Sequence, residues 1–470
     1  MFSQYFQTLQ NCLKVGELRS RIFFTLALLV VCRLVAMTPI PGLDGQQLLA
    51  FFDSLREQQN TGSGGGAGLL GMYSMFTGGA LERCAVGSLG IMPYISATII
   101  LQLMTAVVPS LSKIAREEGG RTQIIKYGRY LTVLLCLGQG FVMSVGWENP
   151  RNIPGFGGFD GELVADPGLW YRIRTMMLLT TGTVLLTWLG EQISERGIGN
   201  GISLVITVGI IARIDQAFLG IKDMFFPASG EGAHLFNLVM LLVLLLTVVG
   251  VVIAVTQAMR KIPVQYAQRQ VGRKMMQGGS TYFPLRVNYA GVMPIIFAQA
   301  ILMFPAQIFG TLGRSMGDGN VADFFQGLGD ALAYGSFWNL AMQALMILFF
   351  SYFWVATQFN ETQIADDLKK AGGYIPGVRP GNATRDFLHH AMSRLTLAGA
   401  MFLVVIAVIP TVMGINFEIP FTVAQFFGGT SLLIMVGVML DTMRQMESHL
   451  AQHHYDGFLK GGKKVRGRGG

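Results

Sequence analysis

Runs of about 20 mostly apolar residues recur along the whole chain, and this is the length that a helix needs to cross a lipid bilayer. Hydrophobic residues make up 51% of the 470 residues and charged residues only 13%, whereas soluble domains carry about 25% charged residues. We therefore predict an all-α integral membrane protein with about ten transmembrane helices. The predicted spans are residues 22–39, 87–108, 128–147, 171–190, 202–220, 236–257, 288–310, 337–358, 392–412 and 423–441.

The charges in the connecting segments predict the orientation of these spans. Lys and Arg collect after spans two and six, whereas Asp and Glu dominate the loops after spans three and seven. Because basic loops are retained on the cytoplasmic side, both termini are expected there, in an N-terminal segment 1–21 and a basic tail 446–470. The first span follows no recognisable cleavage site, so we expect it to be retained.

The loop 258–287 is the most basic of these segments, with six Lys or Arg residues and no acid. A protruding basic loop of this length suits phosphate backbones or an acidic protein partner. The positive-inside rule and attraction to anionic lipid would explain the same charges without a partner. Both interpretations remain open from charge alone.

The sequence shows no pattern typical of a cofactor or catalytic site. Its four cysteines include no CxxC pair and no histidines at metal spacing, and its six histidines fall in loops or at span ends. The glycine-rich run 62–68 lacks the GK[ST] that completes a phosphate-binding loop, and is more typical of a linker. We predict no metal, no cofactor and no enzymatic activity.

Few charges lie near the centre of any predicted span. Arg33 is the most deeply placed and is interpreted as structural, while Arg213 and Asp215 fall in the outer third of span five. An ion-driven transporter usually keeps ionisable groups at the bilayer midplane. A secondary carrier, which glycine-broken helices would also suit, is therefore less favoured than a passive pore.

Several motifs together resemble the SecY family. The stretches 90–102 (GIMPYISATIILQ), 188–203 (WLGEQISERGIGNGIS) and 428–434 (GGTSLLI) carry the resemblance. It extends to residues 39–42, 262–269, 288–294 and 376–381, so it runs nearly from end to end.

The resemblance implies a clamshell of two inverted-repeat halves of five helices, residues 22–220 and 221–445, around an hourglass pore. A short half-inserted plug, near residues 66–76, would correspond to an apolar stretch that is too short to span. The implied plug residues are Leu69, Leu70, Met72, Tyr73, Met75 and Phe76. The implied hydrophobic pore ring consists of Ile91, Ile95, Ile202, Ile206, Ile296 and Ile434.

The resemblance also implies a lateral gate toward lipid, between spans two and three on one side and spans seven and eight on the other. We expect the polar residues Ser96, Gln139 and Gln299 near this seam. The cytoplasmic loops 258–287 and 359–391 would dock the translating ribosome and the SecA motor ATPase. The implied docking residues are Arg260, Lys261, Arg269, Arg273, Lys274 and Arg379.

A member of this family is expected to be the channel subunit of a protein translocase in the bacterial plasma (inner) membrane. It would pass unfolded polypeptides across the membrane and release membrane helices sideways into lipid. The implied partners are SecE and SecG in a heterotrimer, SecA, the ribosome, YidC and SecDF, unfolded preproteins with their signal peptides, and membrane lipids.

Overall fold

The computed structural model shows a bundle of apolar helices with a small sheet at one end. It describes residues 14–59, 74, 76–117, 119–150, 161–225, 235–266, 269–271, 274–276, 279–315, 319–332, 336–417, 423, 426 and 430–460. Helices of the first half are α1 (Gly16–Met37), α2 (Gly45–Gln59), α3 (Met92–Val107), α4 (Pro109–Arg116), α5 (Gly120–Glu148), α6 (Leu169–Arg196), α7 (Gly201–Ile211) and α8 (Ile214–Phe225).

The second half begins with α9 (Leu235–Gln257) and continues through a group of short strands. Its strands are β1 (Met259–Tyr266), β2 (Arg269–Val271), β3 (Lys274–Met276), β4 (Ser280–Arg286) and β5 (Gly373–Tyr374). Its remaining helices are α10 (Met293–Ser315), α11 (Asn320–Ala331), α12 (Phe337–Gln358), α13 (Glu361–Lys370), α14 (Asn382–Phe417) and α15 (Thr430–Lys460).

An apolar helix lies at each of the ten predicted spans: α1, α3, α5, α6, α7, α9, α10, α12, α14 and α15. Among the described residues, five helices are long and apolar enough to cross a membrane on their own, or six if a bent pair is one span. The predicted multi-pass helical membrane protein is confirmed. Several of its helices are shorter, broken or more polar than a simple apolar rod.

Three of the differences between the predicted and the observed helix boundaries have a local physical reason. Pro109 is the first residue of α4, and the axes of α3 and α4 are bent by 104°, because proline disfavours helical geometry at the residue before it, here Val108. The predicted fifth span breaks after Ile211, where the amide of Arg213 bonds to the carbonyl three residues back. Helix α15 continues to Lys460, since helix formation there does not require apolar residues.

The helices pack as two groups that meet along two lines. Within the first half, α3 packs on α5, α5 on α6, and α6 on α1 and α7; within the second, α10 packs on α12, α12 on α14, and α9 on α15. The halves contact each other where α3 meets α10, and again where α15 meets α7 and α1. One large cluster of buried apolar side chains, here called the apolar cluster at the junction, extends from the first half across the junction into the second.

Candidate pore and docking surface

The six predicted ring isoleucines come from helices of both halves. Ile91 and Ile95 lie at the start of α3, and Ile202 and Ile206 lie one turn apart on α7. Ile296 lies on α10 and Ile434 on α15. Ile202 is half-buried and the other five are buried, and all six belong to the apolar cluster at the junction. The six predicted ring residues therefore come from four helices, α3, α7, α10 and α15, which the fold brings together.

A small cavity of about 30 Å³ lies directly beside these isoleucines. This is large enough for about two water molecules. Its lining includes Ile91 and Ile206 from the ring and the consecutive residues Phe76 and Thr77. The cavity therefore lies between the ring and Phe76, the last of the predicted plug residues, with Thr77 after it.

Of the predicted plug residues, only Phe76 lies among the described residues. It is half-buried and packs against the apolar cluster at the junction. The remaining predicted plug residues, Leu69, Leu70, Met72, Tyr73 and Met75, lie outside the described residues.

The segment 77–90, here called the plug base, is tightly attached to α1 and to the residues after it. The Ile40 amide donates to the Cys84 carbonyl at 2.9 Å, and the Val86 amide donates to the Thr38 carbonyl at 2.9 Å. Arg33 Nη1 donates to the Gly78 carbonyl at 3.0 Å. This contact explains why Arg33, predicted to be structural, is tolerated within a span: its guanidinium binds backbone rather than lipid.

Gly78 is required at this contact for two reasons. Its φ of +65° is in the left-handed region that side chains disfavour. A Cβ atom at Gly78 would also lie 2.6 Å from Arg33 Nη1 and 2.9 Å from the Gly209 Cα on α7. Only glycine lets the plug base approach both helices this closely.

A buried ion pair in the plug base was not predicted. Glu82 and Arg213 are 2% and 9% exposed, and Arg213 Nη2 donates to Glu82 Oε1 at 2.6 Å. Ser74 joins both groups, since its hydroxyl donates to Glu82 Oε1 and accepts from Arg213 Nη1. The available signal was Glu82 in the stretch 77–91, where the only other charged residue is Arg83, because an acid needs a partner when it is buried.

The predicted seam corresponds to the contact between α3 and α10. Ser96 on α3 and Gln299 on α10 are both buried, and Gln139 on the neighbouring α5 is half-buried. Gln299 Nε2 donates to Thr430 Oγ1 at 3.3 Å, a partner that was not predicted. Within the described part of the chain, Ser96 Oγ and Gln299 Oε1 have no hydrogen-bond partner. Polar atoms of this kind reduce the stability of a closed contact.

The two predicted docking loops form a single sheet. Strand β1 pairs antiparallel with β4 along its length, and β5 adds to the other edge of β1 through Gln265–Tyr374 and Tyr266–Gly373. The inner face of this sheet packs on α12 and α14 through an apolar cluster. The buried members of that cluster include Ile262, Val264, Leu285, Val355, Phe359, Ile375 and Leu388.

Basic side chains lie on the exposed parts of this sheet and on the turn beside it. Arg260 and Lys261 are exposed on β1, and Arg379 is exposed in the turn after β5. The Arg379 carbonyl accepts a hydrogen bond from Thr384 Oγ1 at 2.9 Å, which fixes this turn to the start of α14. Arg269 lies in β2 and Lys274 in β3, whereas Arg273 lies outside the described residues.

The described residues contain no group of three or more His, Cys, Asp or Glu side chains that could hold a metal ion. The described cysteines Cys32, Cys84 and Cys136 are free and buried.

Comparison with known proteins connects this arrangement to one family. The family model for SecY matches residues 85–443. A protein translocase subunit SecY from Chlamydia muridarum is 39% identical over 96% of this chain and 98% of its own length.

Solved structures support the fold at lower sequence identity. A structure described as a protein-conducting channel has a TM-score of 0.57 at 16% identity, and covers 95% of this chain and 94% of its own. Sec61 from a canine ribosome-channel complex has a TM-score of 0.54 at 16% identity, with the same coverage. With the family model and the Chlamydia relative, these likenesses establish that the chain belongs to the SecY family.

Proposed function

We propose that this chain is the central protein-conducting subunit of a Sec translocon, and that its pore lies at the junction of the two helical halves. The observation that carries the proposal is the convergence of Ile91, Ile95, Ile206, Ile296 and Ile434 from both halves into one buried cluster. Such a site binds no particular ligand. It is suited to closing around whatever passes between the halves.

The chemistry of these side chains explains how the pore stays closed to ions. Branched aliphatic groups offer water and ions no hydrogen-bond partner, so a constriction lined by them loses its water and blocks conduction. The same side chains can rearrange around an extended polypeptide, because apolar contacts have no required direction. A ring of isoleucine therefore combines a seal with tolerance of many substrate sequences.

The plug, residues 66–76 in our proposal, would close the outward side of this constriction. The position of Phe76 and Thr77 beside Ile91 and Ile206 supports this role, because it places the end of the plug at the ring. Displacement of the plug would then accompany entry of a substrate.

The contact between α3 and α10 is the proposed lateral gate. Separation of these helices would expose the pore to lipid along one side, and an apolar substrate helix would leave because lipid stabilises it. The unpaired oxygens of Ser96 and Gln299 support this assignment, since they make the closed contact easier to separate. We place Gln139 near the gate on α5.

The channel itself is proposed to be passive, with energy supplied by a bound SecA ATPase or by the ribosome. The exposed basic residues Arg260, Lys261 and Arg379 beside one sheet support a shared docking surface for these partners, and Arg269, Arg273 and Lys274 would extend it. We also propose SecE and SecG as companion subunits, and YidC and SecDF as further partners. The basic loops support a bacterial inner membrane orientation with both termini in the cytoplasm.

Two adjacent isoleucines on α10 provide a test of the pore assignment. Ile296 belongs to the cluster at the junction, whereas Ile295, equally buried, belongs to a separate cluster inside the second half. We expect Ile296→Asn to raise the resting ion conductance of reconstituted channels several-fold, and to allow export of substrates with defective signal sequences. Ile434→Asn and Ile95→Asn should act in the same way.

The control Ile295→Asn should lower protein accumulation without raising conductance per channel, because it damages packing away from the pore. The ring does not lie in the conduction path if all three variants, Ile296→Asn, Ile434→Asn and Ile95→Asn, have the conductance of the wild-type channel.

A further inference from the structure

The ion pair in the plug base is an unusual feature for a membrane-embedded site. Glu82 and Arg213 are almost fully removed from solvent, and burial of either charge alone would be costly. The 2.6 Å hydrogen bond from Arg213 Nη2 to Glu82 Oε1 pairs the two opposite charges. Each charge therefore offsets part of the free-energy cost of burying the other.

Both charged residues are held by parts of the fold that are firmly attached. Glu82 lies in the plug base, whose backbone bonds to Thr38 and Ile40 and whose Gly78 carbonyl binds Arg33. Arg213 lies at the break between α7 and α8, where its carbonyl accepts the Ala217 amide at 3.3 Å and so begins the next helix. The pair thus forms a fixed site at the outward end of the ring helices.

Ser74 is the third member, and its backbone carbonyl accepts the amide of Gly79 in the plug base at 2.8 Å. It belongs to residues 66–76, the plug of the proposed function, and it is fully buried. Its hydroxyl donates to Glu82 Oε1 and accepts from Arg213 Nη1. Hydrogen bonds to charged groups are stronger than those between neutral groups. Ser74 is therefore the point at which the plug meets the fixed pair.

We propose that Glu82 and Arg213 are positioning residues for the plug, that Ser74 is the group they hold, and that this contact sets how readily the channel opens. The proposal rests on the proposed channel function and adds residues to it. Removal of the plug would break the contacts of Ser74 but leave Glu82 paired with Arg213. Opening therefore creates no unpaired buried charge, so the plug is held firmly and can still be released by a substrate.

The test uses the chain with its translocon subunits, reconstituted in lipid vesicles and planar bilayers. We expect Ser74→Ala to raise the resting open probability by on the order of ten-fold, which corresponds to the loss of one hydrogen bond to a charged group. The same variant should export reporters with weakened signal sequences in cells. Ser74→Thr, which keeps the hydroxyl, should behave like wild type.

Ser88→Ala is the matched control. Ser88 is fully buried like Ser74, but it lies in the plug base, and its hydroxyl donates to the carbonyls of Ala80 and Ala85 and not to the ion pair. We expect its conductance to equal that of wild type. If Ser74→Ala and Ser88→Ala have the same open probability, the proposal is wrong.

A double-mutant cycle separates positioning from general packing. Replacing both charges, as Glu82→Met with Arg213→Met, removes the site without leaving an unpaired charge. Ser74→Ala should add nothing to the conductance of this background, because its partners are gone. Full additivity would contradict the proposal. If no signal peptide opens even the wild-type channel, then the proposed channel function itself is wrong.

Discussion

Two buried polar atoms lie where α3 meets α10, at the lateral gate that we propose. Ser96 Oγ and Gln299 Oε1 are buried, and neither has a hydrogen-bond partner in the described residues. A buried polar group without a partner costs about 1–3 kcal/mol. The contact between α3 and α10 is thus less stable than an apolar contact of the same shape, as we expect of a gate that must separate.

Ser96→Ala should therefore close the seam more tightly. Removal of the unpaired hydroxyl is expected to stabilise the closed contact by about 1 kcal/mol, and so to lower the export of reporters with weak signal sequences by roughly five-fold. The rate of export should be measured across signal sequences of graded hydrophobicity, with strong signals affected least.

Ser144→Ala serves as the control for this change. Ser144 is a buried serine on α5 whose hydroxyl already donates to the Phe141 carbonyl at 2.8 Å. Its replacement should leave the dependence on signal hydrophobicity unchanged. An identical effect of both substitutions would show that burial of any serine, and not the seam, is responsible.

At the scale of elements, the β4-β1-β5 sheet converts two distant loops into one surface. The partner strands of β1 are separated by nearly a hundred residues, yet both bond to it. Apolar side chains beneath the sheet anchor it to α12 and α14. A partner that binds the exposed face therefore meets a rigid platform and not two independent loops.

Arg379→Glu should strongly reduce motor-dependent export, by about ten-fold or more, because charge reversal replaces an attraction to an acidic partner with a repulsion. The variant should accumulate and insert normally, since Arg379 is exposed and its carbonyl, not its side chain, holds the turn. Binding of SecA to reconstituted channels and the export rate are the measurements.

Arg385→Glu is a control in the same segment, because Arg385 is exposed but already forms an ion pair with Asp386 at 2.9 Å. A much smaller loss is expected there. Wild-type export by the Arg379→Glu channel would remove this residue from the docking surface.

Prediction from sequence succeeded where the physical signal is local and failed where it depends on distant contacts. Runs of apolar residues located ten of the fifteen helices in the described part of the chain, those at the predicted spans, because the requirement of a bilayer acts over about 20 consecutive residues. The pairing of Glu82 with Arg213, residues 131 apart, has no local signal. Strand β5 is only two residues long, too short for a period-two pattern, so its addition to β1 was also missed.

At the scale of the whole molecule, the halves meet along the seam and, separately, where α15 contacts α7 and α1. At the second contact the Gly199 amide donates to Gln445 Oε1 at 2.8 Å, and the Ile198 amide donates to Thr25 Oγ1 at 3.1 Å. These bonds connect the turn before α7 to α15 and to α1, and the bond to Gln445 is the one that crosses between the halves. If the seam opens, this second contact is the natural place for the halves to stay attached.

Gly199→Ala should loosen this attachment. Gly199 has a φ of +92°, and an added Cβ would lie 2.9 Å from Leu204 Cδ1 and 3.0 Å from Thr442 Oγ1 on α15. Backbone strain alone costs about 1–2 kcal/mol, and the clash adds to it. We expect a lower thermal unfolding midpoint in detergent, measured by loss of the monodisperse peak on heating.

Gly377→Ala separates the two causes, because Gly377 has a similar φ of +83° but open space around it. Its midpoint should fall less than that of Gly199→Ala. Equal losses would mean that contact between the halves contributes nothing measurable.

The position of the sheet has a mechanical consequence. Strand β1 follows α9, β4 leads into α10, and β5 lies between α13 and α14, so every helix joined to the sheet belongs to the second half. In the proposed function, the force that a docked partner applies to this sheet would therefore act on the second half alone. Because α15 stays in contact with α7, we expect this force to rotate the second half about that contact and to separate α10 from α3. Binding of a partner at the sheet would then open the proposed gate inside the membrane.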